Sequence, residues 1–246
     1  LKWCVLSPER IVQVDKRRRT MHPSYKNDPS LGKEVHAYLV KQGLETPMTD
    51  QVKQSAEKKI AAITDSFSDI MIELGLDTTD DSLMDTPKRV AKMYVNEIFY
   101  GLNYDYFPKC TAIENKMKTN GSFLLEKNIN VQSNCEHHFV VIDGLATVAY
   151  IADKKLLGLS KLNRIVQFFA KRPQVQERLT EQIRATIQYV AQTDDVAVYV
   201  DAKHWCVKSR GIQDQTSSTV TLSVGGVFAD KVSEIRKEFL NLARSG

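Results

Sequence analysis

Apolar residues in the first half of the chain recur at helical spacing. Steps of four and three residues separate Ala56, Ile60, Ile63, Phe67, Ile70 and Leu74. This spacing places one apolar stripe along a helix, and Gly75 is a typical residue just past a helix end. A shorter amphipathic segment lies between Ser30 and Gly43, and another runs from residue 86 to 101. The pattern therefore predicts an N-terminal helical region over residues 21–105.

From about residue 110 the apolar pattern changes to alternation, which is typical of half-buried strands. Two such segments, 140–142 and 145–151, flank Asp143-Gly144. Because Asp-Gly between alternating segments favours a two-residue turn, these segments are predicted to form a β-hairpin. Strand patterns return at residues 196–207 and 218–228.

Two helices are predicted between these pairs of strands. Ser160 is a suitable N-cap for the first helix, and Pro173 is suited to open the second. A further helix is predicted from Glu234 to Ala243, near the end of the chain. The order of helices, strands, two helices and more strands indicates an α+β fold.

Composition limits the class of protein. With 246 residues, of which 42% are hydrophobic, the chain can bury one large core, or a core and a smaller appendage. It contains no run of 18 apolar residues and no apolar segment typical of a secretory signal near residue 1. The four cysteines show no close pairing, so we expect a cytoplasmic protein with metal-bound or buried thiols rather than a disulfide framework.

The net charge of +4 resides in the first 20 residues, which contain the run "KRRR". They hold six of the 34 basic and two of the 30 acidic side chains, so residues 21–246 carry 28 of each. A neutral body argues against a nucleic-acid-binding protein. Residues 1–20 are predicted to be a solvated basic tail. Because Met21 is the first methionine, we expect this tail to precede the native start.

Side chains that could bind a metal cluster in "CEHH" and in "HWC", which are about 70 residues apart. A catalytic zinc takes three protein ligands, so three of Cys135, His137, His138, His204 and Cys206 suffice. On a regular strand Cys135 and His137 share a face, whereas Cys135 and His138 share one only on a helical turn. Alternation along 196–207 puts His204 and Cys206 on one face. The residues alone leave the choice of ligands open.

A candidate anion site lies near the start of the predicted helix that follows Gly158. Lys161 and Arg164 are three residues apart and face the same way, near free backbone N–H groups that favour anions. They could cradle a phosphate group, although a solvated helix face has the same pattern. Gln176 and Glu177 fall in a first helical turn. Neither G-x-x-x-x-G-K-[ST] nor G-x-G-x-x-G occurs, so no P-loop or dinucleotide-binding turn is predicted.

Three segments, in this order, closely resemble the GTP cyclohydrolase I family: "CEHHF", "GLSKLNRIVQFFAKRPQVQERLT" and "HWCVKSRG". A fourth, "DTPKRVAKMY" at residues 85–94, resembles the upstream helix of that family. The resemblance covers roughly residues 30–245. It implies the tunnelling fold, an antiparallel sheet with two antiparallel helices, for a catalytic domain over residues 106–246. It also implies a homodecamer of two stacked pentamers, with active sites between subunits.

The resemblance further implies a zinc site. In that family the first Cys and last His of the CEHH motif and the Cys of H-x-C bind zinc, which here are Cys135, His138 and Cys206. This ligand set requires the chain to turn at residues 135–138. The family opens the imidazole ring of GTP at C8, releases formate and forms 7,8-dihydroneopterin triphosphate, the first step of tetrahydrofolate and pterin biosynthesis. We therefore expect a zinc-dependent hydrolase that acts on GTP.

Individual roles are implied by the same resemblance. His204 is the first choice for protonating N7 of GTP and His137 is the second acid/base group, although the two roles are exchangeable. Ser160 is expected to assist the later sugar rearrangement. Glu177 is expected to hold the guanine edge, with Gln176 beside it. The cations expected to hold the triphosphate are Lys161, Arg164, Arg210 and Arg89.

Three alternatives fit the residues less well. A zinc nucleoside deaminase needs a P-C-x-x-C pair, which the chain lacks. A zinc-stabilised nucleic-acid-binding module would use the basic tail to clamp phosphate, but the rest of the chain is neutral. A related pterin or queuosine-pathway enzyme could share the fold, yet the combination of CEHH, S-K-x-x-R and H-x-C favours the cyclohydrolase.

Overall fold

The computed structural model describes residues 25–116 and 122–245, and these residues form a mixed α+β fold, as predicted. The predicted basic tail, residues 1–20, lies outside the described residues. The helices are α1 (Pro29–Lys41), α2 (Ala56–Glu73), α3 (Thr86–Met93), α4 (Leu159–Ala170), α5 (Gln176–Ala191), α6 (Trp205–Lys208) and α7 (Glu234–Arg244). The strands are β1 (Ala112–Glu114), β2 (Leu124–Cys135), β3 (Val141–Tyr150), β4 (Lys155–Leu157), β5 (Pro173–Gln174), β6 (Val196–His204) and β7 (Thr219–Val224).

The central sheet has the strand order β5-β2-β3-β6-β7, and β1 pairs separately with β4. Neighbouring strands of the central sheet are antiparallel except β5, which is parallel to β2. Helices α4 and α5 pack against this sheet and against each other, and their apolar stripes are fully buried. Polar residues such as Gln132 and Asp143 remain exposed on neighbouring strands, as expected where a sheet face is not covered by helices.

The predicted hairpin at Asp143-Gly144 is wrong. Strand β3 runs through both residues without interruption, and Gly144 pairs with Ala202 of β6. A Cβ atom at Gly144 would lie 2.2 Å from the carbonyl oxygen of Asp201. The glycine is therefore required by the close approach of β6 rather than by a turn. Residues 136–140 join β2 to β3 instead, so the CEHHF segment itself forms the hairpin connection.

Two predicted helix starts are also wrong. Ser160 is not an N-cap, because α4 begins one residue earlier behind the extended backbone of Gly158, whose carbonyl oxygen accepts a hydrogen bond from the Lys161 amide at 2.8 Å. Pro173 does not open α5, because it lies in β5 and pairs with β2. Helix α5 begins at Gln176. Strand pairing thus outweighs the preference of proline for a first helical turn.

Arg172 connects the N-terminal helices to the sheet. Its side chain is fully buried, and its guanidinium donates hydrogen bonds to the Glu45 carboxylate at 3.0 Å and to the Gly101 carbonyl oxygen. The same group lies over the rings of Phe168 and Phe169. A buried charge is stable only with such partners. Arg172 directly precedes β5, which pairs with the last residues of β2. This network therefore holds the N-terminal region beside the end of β2, where the CEHHF turn begins.

The stripe predicted for residues 56–74 does form a helix, α2, but Met71 is the residue of this helix that becomes buried. Ile70 and Leu74, which belong to the stripe, remain 51% and 71% exposed.

The C-terminal helix α7 also forms where it was predicted. Within the described ranges, none of the helices combines the length and the apolar character needed to cross a bilayer.

Candidate metal centre

Cys135, His138 and Cys206 come together although Cys206 is far along the chain. One potential ligand atom from each lies within 4.8 Å of the others. Cys135 is the last residue of β2, His138 belongs to the turn that follows, and Cys206 lies in α6. Two sulfur donors and an imidazole nitrogen are the ligands that zinc prefers, whereas magnesium and calcium prefer oxygen. The donor set therefore fits zinc.

The backbone turns sharply at the CEHHF segment, as the ligand set requires. The Phe139 amide donates to the Cys135 carbonyl oxygen at 2.8 Å, and the Cys135 amide donates to the Val140 carbonyl oxygen at 2.8 Å. Phe139 has φ of 54°, in the left-handed region that residues with a Cβ seldom adopt. The side-chain amide of Asn134 also donates to the Phe139 carbonyl oxygen at 3.2 Å. This turn brings Cys135 and His138 together, which a flat strand would not do.

Cys206 reaches the group by a different route from the one predicted. Strand β6 ends at His204, and the chain then enters the short helix α6 instead of continuing as a strand to residue 207. Burial raises the pKa of the Cys206 thiol, and the neighbouring Cys135 raises it further. Two adjacent thiolates repel each other, so they need a cation between them, which agrees with a metal site.

His137 is adjacent to the metal-binding group but is not one of its three members. Its Nδ1 atom lies 3.8 Å from Cys135 Sγ, and its Nε2 atom lies 4.0 Å from a carboxylate oxygen of Glu136. The side chain is 65% exposed. An exposed imidazole beside a metal centre can exchange protons with a bound molecule and with solvent.

His204 is held by Gln176, which lies at the start of α5. His204 Nε2 lies 2.7 Å from Gln176 Oε1, and the amide nitrogen of Gln176 donates to the carbonyl oxygens of Val200 and Thr219 at 3.1 and 2.8 Å. These donations fix the orientation of the amide, so its oxygen accepts a hydrogen bond from His204 Nε2–H. In the neutral imidazole, Nδ1 is then the ring nitrogen without a proton. Burial lowers the pKa of His204, and the Glu177 carboxylate partly opposes this shift.

Gln176 itself is almost completely buried, with 1% of its surface exposed. Both ends of its amide have partners within the chain, and one of them is the functional candidate His204. Glu177, the next residue, is close enough to influence the pKa of His204. The first turn of α5 therefore carries one inward amide and one carboxylate at the His204 side of the metal centre.

Glu136 forms an ion pair that was not predicted from the sequence. Arg178 donates to both carboxylate oxygens, from Nη1 at 2.7 Å and from Nη2 at 3.2 Å. These hydrogen bonds lower the pKa of Glu136. No periodic pattern in the sequence distinguishes Arg178 from the other charged residues of α5. The carboxylate within CEHH could have indicated that a cationic partner exists, since a partly buried acid beside thiols needs one.

The predicted triphosphate ligands do not all lie together within one chain. Arg210 is at the metal centre, with Nη1 2.7 Å from His138 Nε2. Arg89 is exposed and pairs with Asp85 at 3.2 Å. Lys161 and Arg164 lie near the start of α4, which also carries Ser160.

The start of α4 and the metal centre lie toward opposite ends of β2. Asn163 in α4 contacts the Glu126 carboxylate at 3.0 Å, whereas the Arg172 carbonyl oxygen, beyond the end of α4, contacts Ser133 at 3.4 Å. At about 3.3 Å per strand residue, Glu126 and Ser133 are separated by roughly 20 Å or more. Cys135 lies two residues further along the strand. Lys161 and Arg164 are therefore remote from the metal centre of their own chain.

Comparison with known proteins identifies the family. The family model described as GTP cyclohydrolase I matches residues 63–244. The protein named GTP cyclohydrolase 1 from Klebsiella pneumoniae is 55% identical over 219 residues, which cover 87% of this chain and 98% of the relative. Proteins of the same name from Shewanella denitrificans and Escherichia coli are each 54% identical, over 86% and 88% of this chain and over 96% and 98% of the relatives. The chain belongs to the GTP cyclohydrolase I family.

Proposed function

We propose that this chain catalyses the reaction of its family at the Cys135, His138 and Cys206 group. As a GTP cyclohydrolase it converts GTP and water into 7,8-dihydroneopterin triphosphate and formate, the first step of pterin and tetrahydrofolate biosynthesis. One observation carries the assignment of the site: a donor set suited to zinc is assembled from a turn and a helix that are far apart in sequence.

Zinc is the proposed cofactor. Held by Cys135, His138 and Cys206, it would leave one coordination position for water and lower the pKa of that water toward neutrality. The two thiolates and the neutral imidazole balance its charge. Thiols that bind metal must stay reduced, so we propose a cytoplasmic location for the protein.

Two imidazoles are proposed to move the protons of ring opening. His204 donates its Nε2–H to the Gln176 amide oxygen, so in the protonated imidazole Nδ1 is the atom that would deliver a proton to N7 of GTP, and the imidazole left afterwards is neutral. Protonation at N7 makes C8 more electrophilic. His137, which is exposed and close to Cys135, is proposed as the second acid/base group. The Glu177 carboxylate would favour the protonated form of His204 and would also hold the guanine edge.

The remaining substrate contacts are proposed from the motif positions. Gln176 would lie beside the guanine while it supports His204, and Ser160 would assist the sugar rearrangement. The triphosphate, with a charge near −4, needs several cations in a partly enclosed site. The proposed cations are Lys161, Arg164, Arg210 and Arg89.

The distance between these cations supports an active site shared between subunits. Arg210 is at the metal centre, whereas Lys161 and Arg164 are near the opposite end of β2. A neighbouring copy could supply Lys161, Arg164 and Ser160 to this metal centre. We therefore propose the tunnelling fold for residues 106–246, following an N-terminal helical region over residues 21–105. Sheets of neighbouring subunits would form a pentameric barrel, and two such rings would form a homodecamer.

The direct test is incubation of the purified, zinc-loaded protein with GTP. We expect formate and a product that becomes fluorescent on oxidation, as a dihydropterin does. Two variants then separate metal binding from proton transfer. His204→Ala should retain stoichiometric zinc but lose ring opening, and Cys206→Ser should lose the metal. Loss of zinc in His204→Ala would make this residue a ligand, and normal zinc in Cys206→Ser would contradict the proposed site.

A further inference from the structure

Arg178 and Glu136 meet at the base of the turn that carries the proposed zinc ligands. The guanidinium uses two nitrogens to contact the two carboxylate oxygens, at 2.7 and 3.2 Å. The side chains are 18% and 25% exposed, so water only partly competes for them. A bidentate pair fixes orientation as well as distance, which a single hydrogen bond or a lysine would not do.

The position of Arg178 on α5 makes it a rigid anchor. The next turns of this helix place Leu179 and Ile183 in the core with no exposed surface. Gln176, in the same first turn, holds His204. One end of one buried helix therefore contacts both halves of the candidate site, the CEHHF turn through Arg178 and the end of β6 through Gln176.

The other side chains of the turn are exposed but do make contacts, because His138 Nε2 lies 2.7 Å from Arg210 Nη1 and the Phe139 ring lies edge-on to Tyr94 and Phe99. His137 and His138 are exposed, so hydrophobic burial does not fix their positions. The Glu136 amide donates to the Gln174 carbonyl oxygen at 3.0 Å, which holds the first residue of the turn. Phe139 closes the turn with a positive φ, a conformation that persists only when its surroundings enforce it. Among these contacts, the Glu136 side chain forms the bidentate link between the turn and helix α5.

We propose that Arg178 is a positioning residue that acts through Glu136 to hold the CEHHF turn in its metal-binding shape. The pair keeps Cys135 and His138 directed toward Cys206 and keeps His137 beside them. This inference rests on the proposed zinc site. Residues that orient metal ligands from behind typically change metal affinity by about 10- to 100-fold when they are removed.

The test compares Arg178→Met with Arg184→Met. Arg184 lies on the same helix, is 20% exposed, forms an ion pair at 2.7 Å with Glu181 and donates to Ser223 of β7, at the sheet edge opposite β5. Zinc affinity is measured by competition with a chelator, and the ligand field is monitored by the absorption spectrum of the cobalt(II)-substituted protein. We expect Arg178→Met to bind zinc about 10- to 100-fold more weakly, with an altered cobalt spectrum. Arg184→Met should keep the parent affinity and spectrum.

Two further variants keep the proposal testable if Arg178→Met folds poorly. Arg178→Lys retains the charge without the bidentate contact, so it should bind zinc more weakly than the parent protein. Glu136→Gln should also weaken zinc binding, and the effects of Glu136→Gln and Arg178→Lys should be less than additive in the double variant. Full additivity, or an equal loss in Arg184→Met, would overturn the proposal. Zinc binding and turnover by the parent protein test the proposed function separately.

Discussion

Asp143-Gly144 and the CEHHF segment both belong to the hairpin of β2 and β3, and each has the structure that the composition of the other would favour. Asp143-Gly144 has the composition of a hairpin turn but lies inside the uninterrupted strand β3. CEHHF contains no glycine, proline or asparagine, yet it forms the turn between β2 and β3. The glycine of the first segment is needed for packing, whereas the second segment contains Cys135 and His138 of the candidate metal site.

The two segments therefore differ in what limits the backbone. At Gly144 the limit is space, because a Cβ atom would lie 2.4 Å from the Cα atom of Ala202. At Phe139 the limit is conformation, because φ is 54° in a residue that has a Cβ. A rule that treats every glycine as a turn signal therefore predicts a turn at Gly144, where the glycine is needed for space, and misses the turn at Phe139, where φ is positive. Departures of this kind are expected at functional sites, where local preference is sacrificed for chemistry.

The largest effect on stability is expected for Gly144→Ala. The added methyl group would collide with the backbone of β6, which cannot move without disturbing the sheet. We expect a loss of about 1–3 kcal/mol or more in the free energy of unfolding, measured by denaturant titration. Gly158→Ala is the matched control, because no atom lies within 4 Å of its added Cβ. Its loss should stay below about 1 kcal/mol, the cost of replacing an N-cap glycine. Equal losses in the two variants would remove the argument from close approach.

The sequence predicted the helices better than it predicted the strands and turns. Helix α2 forms where apolar periodicity predicted it, and α7 forms over the residues predicted to close the chain as a helix. The predicted starts of α4 and α5 were wrong. Gly158 determines the start of α4, and the pairing of β5 with β2 determines the start of α5. Periodicity also gave no information on how much of α2 is buried, since that depends on what packs against it.

The candidate metal ligands could be chosen only through family resemblance. Alternation alone would pair Cys135 with His137, and only the turn brings His138 to Cys135 instead. The strand expected to present Cys206 ends at His204, so its approach through α6 was also unpredicted. The partner of Glu136 is a contact between residues 42 positions apart, which no local pattern reveals.

A smaller effect tests the conformation at Phe139. Phe139→Gly and Phe139→Ala both remove the ring, but only alanine keeps the cost of a positive φ. We expect the glycine variant to be more stable than the alanine variant by about 1 kcal/mol. Leu145 in β3 is the control, because it is 47% exposed, close to the 46% of Phe139, and does not have a positive φ. There the order should reverse, with alanine more stable than glycine. The same order at both positions would contradict a conformational limit at Phe139.

The smallest effect is expected for Asp143→Thr, which asks whether the aspartate retains any turn function. Asp143 is exposed in β3, opposite Gln132 on one side and Lys203 on the other. Threonine favours strands more than aspartate does, and this gain offsets the loss of a charge facing Lys203. We expect the free energy of unfolding to change by less than about 0.5 kcal/mol, as for most exposed substitutions. If Asp143-Gly144 formed a two-residue turn, a β-branched residue at Asp143 would be strongly unfavourable, because the first central position of both favoured hairpin turns has positive φ. A loss well above 1 kcal/mol would therefore argue for a turn at this position. A negligible change would leave CEHHF as the segment whose backbone makes the hairpin.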